Sequence, residues 1–212
     1  MHVCLSDILR RRLVTVDDSS ACVIDCLFDE CAWKMRYLVI DTGNWLPGRQ
    51  LLISPVCVHA EAWCADSMII NLTSEQMEHS PDVDSAKPVS RKCEERIAEH
   101  YGWPMYWLGD VGAGVPVTHI PGPERSLAAE DIERQTSLRS FMEVQGYDVH
   151  DGNGRMGSAA DFIVDTAGAR LVHLVVNTGN WIRDRKVKVA CENIEAIDWA
   201  ETAIRTITPG PQ

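Results

Sequence analysis

Apolar residues in this chain come in short runs broken by Gly, Asn, Asp and Pro, not at helical spacing. In the first third the runs are Val23 to Asp29, Met35 to Asp41, Gln50 to Ser54 and Met68 to Leu72. In the last third they are Ala159 to Asp165, Leu171 to Asn177, Lys186 to Ala190 and Ala203 to Ile207. Runs of this length, β-branched or apolar and bounded by turn formers, predict the strands of an antiparallel sheet or small barrel. Asp29 to Lys34 and Asp165 to Arg170 read as tight hairpin turns, the second helped by Gly168.

The two sets of runs are one pattern used twice. Thr42 and Thr178 lie 178 − 42 = 136 positions apart, and at that offset Asp25 meets Asp161, Asp29 meets Asp165, Trp45 meets Trp181 and Arg49 meets Arg185. From Ser20 to Ile53, 9 of the 34 aligned positions are identical, and the register holds through turns as well as strands. The chain therefore carries a duplicated unit. The shared stretch TGNW joins the strand ending near Asp41 to the one starting near Gln50. Gly43 supplies a permissive backbone, Asn44 tolerates a left-handed conformation, and Trp45 can fold over the barrel end. A structural turn with a tryptophan plug is one reading of it; an aromatic platform for a ligand or partner is the other.

Between the copies the period changes. Thr73-Ser74-Glu75-Gln76 fits a capping box opening a short helix that stops near Pro81, and Ser90 to His100 predicts a second helix ended by Gly102 and Pro104. The aromatics Tyr101, Trp103, Tyr106 and Trp107 follow, and pad the junction or expose a stacking surface. Leu108 to Pro123 is Gly/Pro-rich and reads as a linker. The expected division is 1–72, a first barrel; 73–137, connector and linker; and 138–212, a second barrel.

Composition narrows the function. Hydrophobic residues are 45% of the chain, enough for a substantial core. The net charge of −11 disfavours nonspecific nucleic-acid and anionic-membrane binding. No apolar run approaches a spanning helix and the N-terminal order is wrong for a signal peptide, so we expect no membrane insertion and a cytoplasmic protein, its eight cysteines reduced.

The stretches from Asp25 to Pro55 and from Asp161 to Ala190 resemble the PRC-barrel domain. Those from Asn71 to Glu94 and from Tyr101 to Trp107 look like the region joining tandem PRC-barrels in a family of bacterial proteins. The resemblance implies a mainly β fold: two small antiparallel PRC-type β-barrels in tandem, with short helices and a Gly/Pro-rich linker between them. It also implies a binding and assembly module, as in the cytoplasmic domain of the photosynthetic reaction-centre H subunit and the C-terminal domain of a ribosome maturation factor. Copy one departs from the family's glycine turn. Where copy two has Asn153-Gly154-Arg155-Met156-Gly157, it has Asp17 to Ala21 and no glycine, so its hairpin should be reshaped. Arg183-Asp184 replaces Pro47-Gly48, so that turn should differ too.

No catalytic motif accompanies this pattern. Cys57, His59 and Cys64 form the best metal-like cluster, but no paired knuckle accompanies them and copy two has no counterpart, so no metal is expected. No GxSxG elbow and no phosphate loop with its lysine occur. Asp25/Asp29 and Asp161/Asp165 are recurring carboxylates, but i and i+4 on a strand lie roughly 13 Å apart, wide for an acid–base pair. They should bracket a strand and accept turn hydrogen bonds. We expect no enzyme and no cofactor, but a protein–protein interaction module. The possible interaction surface is Trp45, Arg49, Trp181, Arg185, Trp103, Tyr106 and Trp107. The alternative is a small-ligand binder or enzyme with a pocket at the barrel junction; a third reading is an RNA- or ribosome-associated factor, which the charge opposes. Open barrel edges lead us to expect a homodimer.

Overall fold

The computed structural model describes residues 1–43, 45–83, 88–108, 136–179 and 185–207. Asn44, Asn180, Trp181, Arg183-Asp184, nearly all of the expected linker and the tail beyond 207 lie outside the described residues. The first copy contains β1 (His2–Cys4), α1 (Leu5–Ile8), β2 (Arg12–Val14), β3 (Ser20–Asp29), β4 (Lys34–Asp41), β5 (Gln50–Ile53) and β6 (Ser67–Ile69). The connector contains α2 (Ser74–Glu78) and α3 (Arg91–Tyr101). The second copy contains β7 (Leu138–Ser140), α4 (Phe141–Val144), β8 (Asp148–Asp151), β9 (Gly154–Asp165), β10 (Arg170–Asn177), β11 (Lys186–Ala190), β12 (Ile194–Asp198) and β13 (Ala203–Thr206).

The fold is mainly β, as the apolar runs predict. The connector helices also form where their signals place them. Thr73 and Gln76 make the reciprocal capping box of α2. Ser90 accepts from Cys93 N–H at the start of α3, and Gly102 ends it in the left-handed conformation at φ 69°.

The offset of 136 carries far beyond the identities. It maps β1 onto β7, α1 onto α4 and β4 onto β10, residue for residue. Left-handed backbone recurs at it as well: Trp33 (φ 50°) with Ala169 (φ 51°), and Asp18 (φ 64°) with Gly154 (φ 122°). The glycine missing from copy one thus leaves a turn of the same hand, with an aspartate, a residue that tolerates it, in its place.

The copies are not separate sheets. One thirteen-stranded sheet runs in the order β12-β13-β8-β9-β10-β4-β3-β2-β6, so the join falls between β10 and β4. There Met35 N–H donates to the Ala169 carbonyl at 2.8 Å and Leu171 N–H to that of Trp33 at 2.8 Å. The two bonds are equivalent under the offset, so a pseudo-two-fold axis passes between Lys34 and Arg170. The first strand of each copy is exchanged across this axis. β1 pairs antiparallel with β9, Cys4 facing Ile163, and β7 pairs with β3, Ser140 facing Leu27. The core follows the sheet: Phe28 and Phe141 each contact Phe162, at ring separations of 5.2 and 6.3 Å, and one buried cluster includes both copies. This strand order is a curled sheet and does not describe two separately closed barrels.

The recurring aspartates hold the exchange together. A bulge after Val23 and its counterpart after Ala159 place Asp25 and Asp161 against the start of the exchanged helix. Asp25 accepts from Ser140 Oγ at 2.5 Å and Met142 N–H at 3.0 Å. Asp161 accepts from Ser6 N–H at 3.1 Å and also from Ser6 Oγ. Asp29 and Asp165 do bracket turns, accepting from Cys31 and Ala32 N–H and from Ala167 N–H respectively. The expectation that all four serve turns is corrected for Asp25 and Asp161, which sit mid-strand and anchor the exchanged helices.

Candidate functional site

The outer face of copy one is where the connector meets the sheet. Tyr37, Val39 and Leu52 point away from the main core and pack with Ile97 of α3 into a second apolar cluster. Glu94, one turn from Ile97, is fully buried beside them. It accepts from Tyr106 Oη at 2.7 Å and pairs with Arg91 at 2.7 Å. Burial pushes the Glu94 carboxyl up, although the Tyr106 hydrogen bond and the Arg91 charge oppose it. The Arg36 guanidinium lies 3.6 Å from the centre of the Tyr106 ring and ion-pairs with Asp29 at 2.9 Å. Arg91 lies 4.4 Å from the Trp107 ring, and Tyr106 meets Trp107 edge-on at 5.0 Å. Trp103 stacks on Tyr101 at 4.3 Å and bonds the Cys57 sulfur. Burial raises the Tyr101 phenol to about 12.

The structure therefore brings Tyr106 and Trp107 together against Arg91, and sets Trp103 apart from them on Tyr101. Sequence reasoning missed Glu94, Arg36 and Arg91. The signal was present in Glu94, a carboxylate on the same helix face as Ile97 and Ala98.

Trp45 and Arg49 serve the same copy. Trp45 is half-buried, packs against the main core and donates Nε1–H to the Ser20 carbonyl at 3.1 Å. Arg49 donates to the carbonyls of Glu78 and Ser80, both at 2.7 Å, and pairs with Asp82, which ties the end of α2 to the β5 side. Arg185 is exposed, and its carbonyl accepts from Thr178 N–H at 2.8 Å. Trp181 lies outside the described residues. Arg49 lies near Tyr101, the ring on which Trp103 stacks, with Ser80 contacting both.

Beside the α3 contact lies a cavity of about 1000 Å³. Ile24, Leu27, Val39 and Leu52 line it along with the exchanged segment from Leu138 to Glu143 and Trp199. Its polar groups include Asp25, Gln50, Arg139 and Glu143. Arg139 pairs with Glu30 and lies 4.2 Å from the Trp199 ring, whose indole N–H is buried with no hydrogen-bond partner among the described residues. Neither Arg139 nor Trp199 stands out in the sequence, because only the exchange brings them together.

The thiols divide by burial. Cys26, Cys57 and Cys191 are buried, whereas Cys22, Cys31 and Cys64 are exposed. Burial pushes Cys57 up to about 11 and Cys191 to about 12, away from the thiolate that a nucleophile or metal ligand requires. No helix among the described residues is long and apolar enough to cross a membrane.

No protein-family model matches the chain, and no curated protein matches it. Among solved structures it is similar to the crystal structure of a putative 16S ribosomal RNA processing protein RimM from Pseudomonas aeruginosa. The identity is 17%, over 38% of this chain and 56% of that one, with a TM-score of 0.27. The chain spans about half the length of that relative.

Proposed function

We propose that this protein is a non-catalytic interaction or assembly module built from two copies of a PRC-type half-barrel. One observation supports the reading: the recurring aspartates and the buried Glu94 hold the molecule together. Asp25 and Asp161 anchor exchanged helices, Asp29 and Asp165 close turns, and Glu94 and Tyr106 bind the connector to the sheet. The PRC-type assignment itself rests on the sequence resemblance, and the homodimer belongs to the same proposal. The test is photocrosslinking in living cells from surface positions spread over both copies. Crosslinks from a contiguous set of positions to one protein species support the reading. Crosslinks to none, with a metabolite shifting the melting temperature, defeat it.

A second reading, a small-ligand binder, is favoured by the cavity beside Trp199. Its volume falls in the ligand-sized range, and a mostly apolar wall with a few polar groups is the usual make-up of such sites. A ligand there quenches or shifts Trp199 emission, and Trp199→Phe removes that change without altering the fold.

A further inference from the structure

The two copies present the same sheet face, and among the described residues the connector packs on it in copy one. In copy one the outward positions are Leu27, Tyr37, Val39 and Leu52, and α3 lies on them through Ile97. The offset and the pairing register put Ile163, His173, Val175 and Lys188 at the equivalent places, with His173 facing Ile163 and Val175 facing Lys188. Apolar Leu52 has become Lys188, Gln50 has become Lys186, and Tyr37 has become His173. Lys186 and Lys188 are both exposed, with Arg185 and Arg170 exposed at the ends of the same strands. The acids near this face are Asp161, bonded to Ser6, Asp165, paired with the Met1 ammonium, and Asp7, which lies near Cys4 as Lys188 does. In a chain of net charge −11 this is a basic strip, and Ile163 and Val175 beneath it are already buried.

Resting on the interaction reading, we infer that this face of copy two docks an acidic amphipathic helix of a partner protein, in the place α3 occupies on copy one. The pseudo-symmetry supplies the geometry and the changed residues supply the chemistry. α3 sets Glu94 against Tyr37 and Ile97 in the cluster of Tyr37, Val39 and Leu52. On copy two the same two helix positions face His173 and Lys188, so a carboxylate suits both. The exposed lysines meet its carboxylates, and their aliphatic stems pack along its flank. The chain's overall negative charge opposes a nucleic acid at the same strip.

The probe is a stapled peptide carrying the α3 sequence, residues 90–103, with Lys92→Glu, Arg96→Glu and Ile97→Glu. It is titrated into the full chain labelled with nitrogen-15. We expect amide shifts confined to 160–175 and 186–190. The double variant Lys186→Glu with Lys188→Glu should bind about tenfold more weakly or worse. A peptide with lysine at 94 and 97 should restore binding to that variant. Both substitutions are at exposed positions, and an unchanged melting curve shows that the variant is folded. The inference is overturned if the peptide fails to bind at millimolar concentration or if charge reversal leaves binding unchanged. It is equally overturned if an RNA oligonucleotide of equal charge binds the same residues as tightly. Such a failure alongside protein crosslinks in the cell leaves the interaction reading standing.

Discussion

A carboxylate taken out of water needs donors, and Asp29 finds them in Arg36, Ser137 and the Cys31 and Ala32 N–H groups. Burial raises its pKa, but the Arg36 bond and the others outweigh it and hold the group below the ordinary carboxylate value. A depressed folded pKa means stability that is present above the unfolded value of about 3.9 and is lost as pH falls through the folded one. Asp29→Asn should therefore flatten the acid limb of a urea-midpoint-against-pH curve and leave its neutral limb parallel to wild type. Trp45 makes one hydrogen bond and is half-buried, so Trp45→Ala should cost about 2 kcal/mol, less than the full burial cost. An unchanged denaturation midpoint with lost partner binding would return Trp45 to the functional reading. At this scale the sequence marked the recurring aspartates correctly as structural, but spacing alone could not separate turn brackets from helix anchors. That distinction depends on a bulge and on Ser140, more than a hundred residues away.

The long strands and both connector helices were legible because each has a full period of pattern or a cap. β1, β7, α1 and α4 were not, since three or four residues define no period. The trace they left is the offset itself: Leu5 with Phe141, Ile8 with Val144 and Leu13 with Val149 are buried apolar pairs 136 positions apart. Docking of these small elements rests on few contacts, so single changes should be felt. Asp25→Ala strands the Ser140, Met142 and Cys26 donors in a partly buried place and should cost about 2 kcal/mol. Asp161→Ala, whose Ser6 donors are exposed and whose Phe162 N–H alone is part-buried, should cost about 1 kcal/mol; equal losses in parallel melts would contradict the asymmetry. β9 approaches β10 closely at Gly157, where an added Cβ would lie 2.2 Å from the Asn177 carbonyl oxygen. Gly157→Ala should therefore destabilise by about 2 kcal/mol in chemical denaturation.

For the whole molecule, duplication and a β fold could be read from the sequence, but the exchange could not, because a pattern of apolar positions says that a strand pairs and not with which strand. If the halves are joined by exchanged strands, cutting the chain between them should not release them. A protease site placed within 112–130 should yield two fragments that still elute together near 23.6 kDa, or at the mass of the intact assembly, and separate only in denaturant. Independent elution under native conditions would rule out the shared sheet. The exchange also orders events in time. β3 ends at Asp29 and the strand that covers it begins at Leu138, 138 − 29 = 109 residues later. At about 5–20 residues per second, translation leaves that edge bare for roughly 5 to 20 seconds on the ribosome. The nascent first copy must wait with an open strand and an unfilled seat for Phe141, so chaperone dependence and yield should follow synthesis rate more closely than final stability.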